Sequence, residues 1–426
     1  MSNSLTVPLS SASLTDAEKR IINKIFDRKR LALGSYLNKF EEIMKNYFKV
    51  KEAIAVNSGT SALHLILKAL NIKENNGMIV TPFTFIASAN VALFERAHPV
   101  FIDIDPYNYN IDLDKIEESI KDSNHPIYRR INKLNDINFF MGVDIFGQPI
   151  DWDKALVLCK KNNWKVIEDS CEAIGAKYKG KYAGTFGEAG TFAFYPNKQI
   201  TTGEGGMIVT DNFELAKLCR SMANQGRGDS EEWLEHVRLG YNYRMDELSA
   251  GLGYIQMKRL DEILEKREQV AKNYYQLFKD DNRVILPKIE EYTTKMSWFV
   301  FVVRLSIDWI SEFIDIPEYV KNGNIPLYID AEDRKNWRNL LKEIKSITYN
   351  VINRLNMKGI QSKNYFSPVH LQKFYRELYG YEEGDYPVTE LISSLTIAIP
   401  FYTDLTIDKQ RYVVQMLKKI LNEFKK

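Results

Sequence analysis

Three short stretches of the chain hold residues whose types and spacing allow chemistry. The first is NSGTS, Asn57 to Ser61, set between an apolar run and an amphipathic one. A strand that turns through glycine into a helix leaves the first N–H groups of that helix without partners. The helix dipole favours an anion there. Gly59, Thr60 and Ser61 are therefore candidates for a phosphate cradle, although Ser and Thr serve equally well as ordinary helix caps. The second stretch is IEDSCEAIG, Ile167 to Gly175, where Glu168 and Asp169 fall at the carboxyl end of an expected strand. Open α/β sheets place their ligands along that edge. An acid there can pair with a metal, a ribose or a protonated ring nitrogen; the alternative is a solvent-facing strand end. The third is TFAFYPNKQITTGEGGMIVTD, Thr191 to Asp211, two strand-like runs around a turn that carries Lys198. A lysine held close to Phe194 and Tyr195 can be desolvated enough to act as a nucleophile. A lysine standing alone is ordinarily a solvated surface group.

Taken together, a phosphate cradle, a strand-end acid and a turn lysine match one ligand, pyridoxal 5'-phosphate. The lysine forms a Schiff base with the aldehyde, the acid keeps the ring nitrogen protonated, and the helix start holds the phosphate. The ring then accepts the electrons released when a proton leaves the substrate α-carbon. His64 lies inside the first helix among Leu63, Leu65 and Ile66, and reads as a core histidine instead of a catalytic one.

These residues need a scaffold, and the apolar pattern supplies an α/β one. Strands are expected at Ala53–Val56, Met78–Val80, Pro99–Ile104, Phe139–Ile145 and Trp164–Asp169. Amphipathic helices, such as Ala62–Leu70 and Asp151–Asn163, lie between several of them. Buried strands alternating with helices mean a largely parallel sheet covered on both faces. From Asp246 to Phe278 helical spacing without proline predicts one long helix or two abutting ones. Beyond Pro287 a strand at Trp298–Leu305, a helix around Lys342–Lys358 and a short strand near Ile397 suggest a smaller α+β domain. The expected division is residues 1–255 and 256–426. Residues 308–337 show no clear periodicity and look like a surface or interface insertion.

Composition narrows the setting. At 426 residues two domains are the default. With 58 Lys+Arg against 56 Asp+Glu, no basic surplus marks a nucleic-acid binder. The first ten residues lack Lys, Arg and an apolar run, so no secretory signal is expected, and the longest charge-free stretch is too polar to span a bilayer. Three cysteines without a CxxC pair fit a reducing, cytoplasmic compartment and no metal site.

The same residues carry a resemblance to the DegT/DnrJ/EryC1/StrS family of sugar aminotransferases, pyridoxal-phosphate enzymes of fold type I. It runs from LNKFEEIMKNYF (Leu37 to Phe48) through NSGTSALHL, TPFTFIASAN, IEDSCEAIGA and FYPNKQITTGEGG. It continues with GYNYRMDELSAGLG (Gly240 to Gly253) and SPVHLQKFY (Ser367 to Tyr375), and ends in YPVTE and IPFYTDLT. The resemblance makes Lys198 the Schiff-base lysine and proton shuttle, and Asp169 the partner of the ring nitrogen. It sets Phe85 on the ring face and Glu172 near the cofactor's 3-hydroxyl, where the family usually has Gln or His. A carboxylate beside a phenolate is repulsive, so Glu172 is expected protonated or turned away. Asn242 and Arg244 match residues that the family sends across a dimer interface to the neighbour's phosphate. Tyr195 and His370 are candidate substrate contacts, with His370 equally readable as structural. Ala193 stands where the family often has a phosphate-binding Ser.

The implied activity is transamination of a nucleotide-linked keto-deoxyhexose, most simply a 4-keto-6-deoxy sugar. Glutamate is the implied donor, 2-oxoglutarate the by-product, and a homodimer the implied assembly. A related lyase, the sugar 3-dehydratase, has His in place of the lysine, and a non-catalytic relative would not need Lys198 or Asp169.

Overall fold

The computed structural model describes residues 6–228 and 235–424. The first five residues read for a secretory signal lie outside these. A seven-stranded sheet forms the centre of the larger part. Its strands lie in the order Glu52–Val56, Gly206–Thr210, Ala189–Ala193, Lys165–Asp169, Ile137–Val143, Gly77–Val80 and His98–Phe101. All run parallel except Gly206–Thr210, which is antiparallel to both of its neighbours. The mostly parallel sheet between helices is that of fold type I, as expected. Strands such as GMIV and AGTFA are apolar on both faces because helices cover both sides.

The expected Pro99–Ile104 strand is shorter in the structure, ending at Phe101. The chain leaves the sheet there to send Asp103 elsewhere. Its carboxylate accepts the N–H groups of Val388 (2.9 Å) and Thr389 (2.7 Å), at the start of the helix Pro387–Leu395. An acid on the unpaired N–H groups of a helix start satisfies both hydrogen bonding and the dipole. This clasp ties the C-terminal segment to the large sheet.

The stretch from Asp246 to Phe278 is two helices, Glu247–Lys258 and Leu260–Phe278, broken at Arg259. A second, three-stranded sheet pairs Phe301–Leu305 with Val284–Ile285 and Thr396–Ile399. The helix Arg334–Met357 covers part of this region. It buries Trp337, Leu341, Ile344, Thr348, Val351 and Leu355, spaced by four, three, four, three and four residues, one stripe of a 3.6-residue helix. Residues 308–337 are woven into the same core, burying Trp309, Ile310, Ile316, Val320, Ile329 and Trp337. Short helices of four residues leave little periodicity for sequence to display. No helix among the described residues is long and apolar enough to cross a membrane.

Candidate active site

A cavity of about 510 Å³ opens at the carboxyl edge of the parallel strands, where residues from four regions converge. Its floor on one side is the start of the helix Gly59–Ala69. Ser58 caps that helix, its hydroxyl oxygen accepting the Ser61 N–H at 3.0 Å. The N–H groups of Gly59 and Thr60, first in the helix, have no intrahelical acceptor and stand at the cavity wall. Glycine is required at 59 by space. A β-carbon would fall 2.8 Å from the Ala193 methyl and 3.0 Å from Cys171 Sγ. Ser61 does not join the cradle. Its hydroxyl donates to Asn57 Oδ1 at 2.6 Å and touches Ser58 Oγ at 2.8 Å, so capping turns it away from the cavity. Of the three expected contacts, Gly59 and Thr60 line the cavity and Ser61 does not.

Opposite, the strand Lys165–Asp169 ends in two acids that alternation sends to opposite faces. Asp169 reaches the cavity. Its Oδ2 accepts the Ser88 hydroxyl at 2.7 Å and its Oδ1 the Cys171 N–H at 3.1 Å, so the carboxylate is fixed but not paired to a cation. Glu168 points into the protein, where Phe186 N–H donates to it at 2.9 Å. Burial pushes the Glu168 carboxyl up to about 7, and pushes its neighbour Asp144 up as well, aided by Glu168 itself. The Ser170 hydroxyl donates to Asp144 at 2.6 Å and sits 3.2 Å from Glu168, joining the two.

Lys198 sits on the turn after the strand Ala189–Ala193, its N–H donating to Tyr195 O at 2.9 Å. The side chain is inside the protein, 12% exposed, with the ammonium 3.9 Å from the centre of the Phe299 ring. Glu172 Oε1 lies 3.4 Å from Nζ, and its Oε2 accepts the Phe146 N–H at 2.9 Å. Glu172 is therefore not turned away. Burial pushes its carboxyl up, and the Lys198 charge and the Phe146 N–H offset part of that.

Phe85 and Tyr195 line the cavity with much of each ring exposed. Asn242 and Arg244 do not line it. Arg244 is bridged to Val56 at the sheet edge, its guanidinium donating to Asn224 at 2.9 Å, and Asn242 is bridged to Asn224. His370 must be corrected as a substrate contact. It is wholly buried, absent from the cavity wall, and bonded through Nε2 to Glu390 at 3.0 Å. Glu390 also accepts from Trp337 (2.7 Å) and the Gly384 N–H (2.7 Å), so the histidine belongs to a packing network. His64 is a core residue as read, bonded to Tyr243 (3.1 Å) and Glu95 (2.9 Å).

The structure adds Ser88, Asn197, Phe299, Tyr365 and Phe366 to the wall. Ser88 and Phe299 fall in the motifs TPFTFIASAN and WFVFVVRL, but nothing in their spacing marks them as site residues. These residues fit pyridoxal phosphate. A glycine-tight helix start meets an anion, a fixed carboxylate meets a ring cation, and a sequestered lysine meets an aldehyde. The buried Asn197 Oδ1 has no partner among the described residues, an acceptor at the same wall.

The chain matches the model of the DegT/DnrJ/EryC1/StrS aminotransferase family over residues 12–325 and 323–418. It is 30% identical to GDP-perosamine synthase of Escherichia coli O157:H7 over 419 residues, 98% of this chain and 99% of that one. It is also 30% identical to UDP-4-amino-4,6-dideoxy-N-acetyl-beta-L-altrosamine transaminase of Campylobacter jejuni, covering 99% of each chain. The solved structure of Helicobacter pylori PseC, an aminotransferase involved in the biosynthesis of pseudoaminic acid, superimposes with a TM-score of 0.82. That pair shares 23% identity, with 99% of this chain and 100% of that one covered.

Proposed function

Because the chain belongs to the DegT/DnrJ/EryC1/StrS aminotransferase family, and is a pyridoxal-phosphate-dependent aminotransferase of fold type I, we propose that it aminates a nucleotide-linked keto-deoxyhexose with glutamate as donor. The observation that carries the chemistry is the placing of Lys198 and Asp169 in the wall of one cavity whose remaining edge is a helix start. Pyridoxal phosphate, when bound, supplies an aldehyde that takes up the amino group and a ring that accepts the electron pair released at the substrate α-carbon. The chain's residues do the rest. The Gly59 and Thr60 N–H groups hold the phosphate. Asp169, fixed in place by the Ser88 hydroxyl and the Cys171 N–H, would hold a proton on the ring nitrogen. Lys198 Nζ takes the proton from the donor's α-carbon and returns one to the sugar carbon. Phe299, Tyr365 and Phe366 exclude water around Nζ. Ala193 offers no hydroxyl to the phosphate, so the cradle leans on backbone and Thr60.

A 4-keto-6-deoxy sugar is the substrate class we favour, supported by the two relatives named for 4-amino and perosamine products. Incubation with keto-sugar nucleotides differing in nucleotide and keto position, each with glutamate, should give the amino sugar by mass spectrometry most rapidly for a 4-keto substrate. Failure with every 4-keto-6-deoxy sugar, beside conversion of a 3-keto one, would reassign the carbon. We place the enzyme in the cytoplasm on its three free thiols, Cys159, Cys171 and Cys219.

The cavity wall holds three carboxylates, Asp169, Glu172 and Glu204, and one cation, Lys198. A donor with two carboxylates and a sugar diphosphate need further positive charge. We assign it to Arg244, with Asn242, from a second subunit of a homodimer. Mixing Lys198→Ala with Arg244→Ala subunits, each inactive alone, tests this. One site in each mixed dimer would be whole, so with random exchange about a quarter of all sites should work. No recovery, once native mass spectrometry shows exchange, removes the shared site and leaves the Lys198 chemistry standing.

A further inference from the structure

Glu172 and Lys198 form a pair whose charges are interdependent. They lie 3.4 Å apart with side chains 8% and 12% exposed, and no water-filled path is needed to pass a proton between them. The carboxyl is built into place. Phe146 adopts a φ of 56°, in the left-handed region that a bulky residue rarely enters, and its N–H is the one that grips Glu172 Oε2. The next residue, Gly147, has φ 95°, where a β-carbon would fall 1.6 Å from Ser297 O. Gln199, next to Lys198, clamps the far side, its amide donating to Glu172 O (2.6 Å) and Ser297 O (3.0 Å). Strained backbone held by several elements over-determines where this carboxyl sits.

The charged and titratable groups around it are few. From its own loop come Asp169 and Cys171, from the lysine turn Lys198, and from the 361–366 segment Tyr365. Asp169 is a second acid, and burial pushes the Cys171 thiol and Tyr365 hydroxyl up, so neither of these two supplies a positive charge. Among the described residues, Lys198 is thus the one group that can compensate a charge on Glu172.

We propose that Glu172 is the proton partner of Lys198: a carboxylate while the lysine carries its ammonium, and a neutral acid once the cofactor engages the lysine. The balance is simple. The proton that Lys198 gives up on bonding the cofactor passes to Glu172, 3.4 Å away, where a glutamine would release it to solvent; when the lysine is freed, Glu172 returns the proton to it. A buried carboxylate beside Asp169 that has lost the Lys198 ammonium is costly, and protonation is its escape. A glutamine at this place would hydrogen-bond alike but could not take part. The inference rests on the reading of Lys198 as the lysine that bonds the cofactor.

Two measurements test it on wild type, Glu172→Gln and Glu172→Asp. Gln retains an oxygen for the Phe146 N–H, and Asp retains a carboxyl. In cofactor-free protein, the pH dependence of Lys198 acetylation by limiting acetic anhydride, read peptide by peptide by mass spectrometry, gives the amine's titration. Loss of the carboxylate should move it down by about one unit or more in Glu172→Gln only. On adding pyridoxal phosphate at pH 7, an indicator dye should show wild type and Glu172→Asp taking up about one proton more per site than Glu172→Gln. Equal amine titration, or equal proton uptake in all three, overturns the proposal alone. Borohydride that fixes no cofactor on wild-type Lys198 overturns the underlying reading and the proposal with it.

Discussion

Lys198→Ala is expected to lower amino transfer by about three orders of magnitude or more, the scale of a lost positioned acid–base group. The cavity keeps its helix start and Asp169, so the cofactor should still bind, held by phosphate and ring. Borohydride should then fix it covalently to the wild type at residue 198 and to no residue of the variant. The substitution removes a side chain whose ammonium bonds Glu172 and lies over the Phe299 ring, so the loss should fall on chemistry more than on folding. Turnover near the wild-type rate would mean that another base moves the proton.

Asp169→Asn should cost about two to three orders of magnitude in rate, the range seen when a preorganised electrostatic group is removed. Asn can still accept the Cys171 N–H, and Ser88 can turn its hydroxyl toward the Phe85 carbonyl, 3.2 Å away in the native site. Geometry and cofactor occupancy should therefore change little. What is lost is the negative charge that holds a proton on the ring nitrogen, and with it the drive for α-proton release. A variant as active as wild type would show that the wrong strand-end acid was chosen, since Glu168 is the neighbour. Its place inside the protein, with a carboxyl near neutrality, argues against it.

Why sequence could mark Asp169, Lys198 and Gly59 as candidates, which the fold brings to one cavity wall, is physical. Each sits at a junction where regular periodicity breaks: a strand end, a turn between strands, a helix start. Such junctions leave a trace in residue type. Ser61 had the right type and the wrong neighbour, because capping by Ser58 and Asn57 decides where its hydroxyl points, and cap partners compete invisibly in a linear chain. His370 failed for another reason. Whether a histidine faces a cavity or a buried glutamate depends on Glu390, twenty residues on and brought beside it by the fold. Ser88, Phe299 and Tyr365 were out of reach for the same cause, being ordinary residues of a helix and of two loops until the sheet gathers them. The break at Arg259 and the burial of residues 308–337 are likewise set by tertiary packing, which short helical turns do not advertise.

The most direct measurement of the central claim is a two-step absorption experiment on the purified, cofactor-loaded protein. The visible band of the lysine-bound cofactor should bleach on adding glutamate alone, releasing about one 2-oxoglutarate per site, as the stoichiometry of a half-reaction at one lysine requires. It should return when a 4-keto-6-deoxy sugar nucleotide is added without further donor, with the amino sugar formed in equal amount. A band that glutamate leaves unchanged, or a sugar that loses water and gains no nitrogen, would contradict the account.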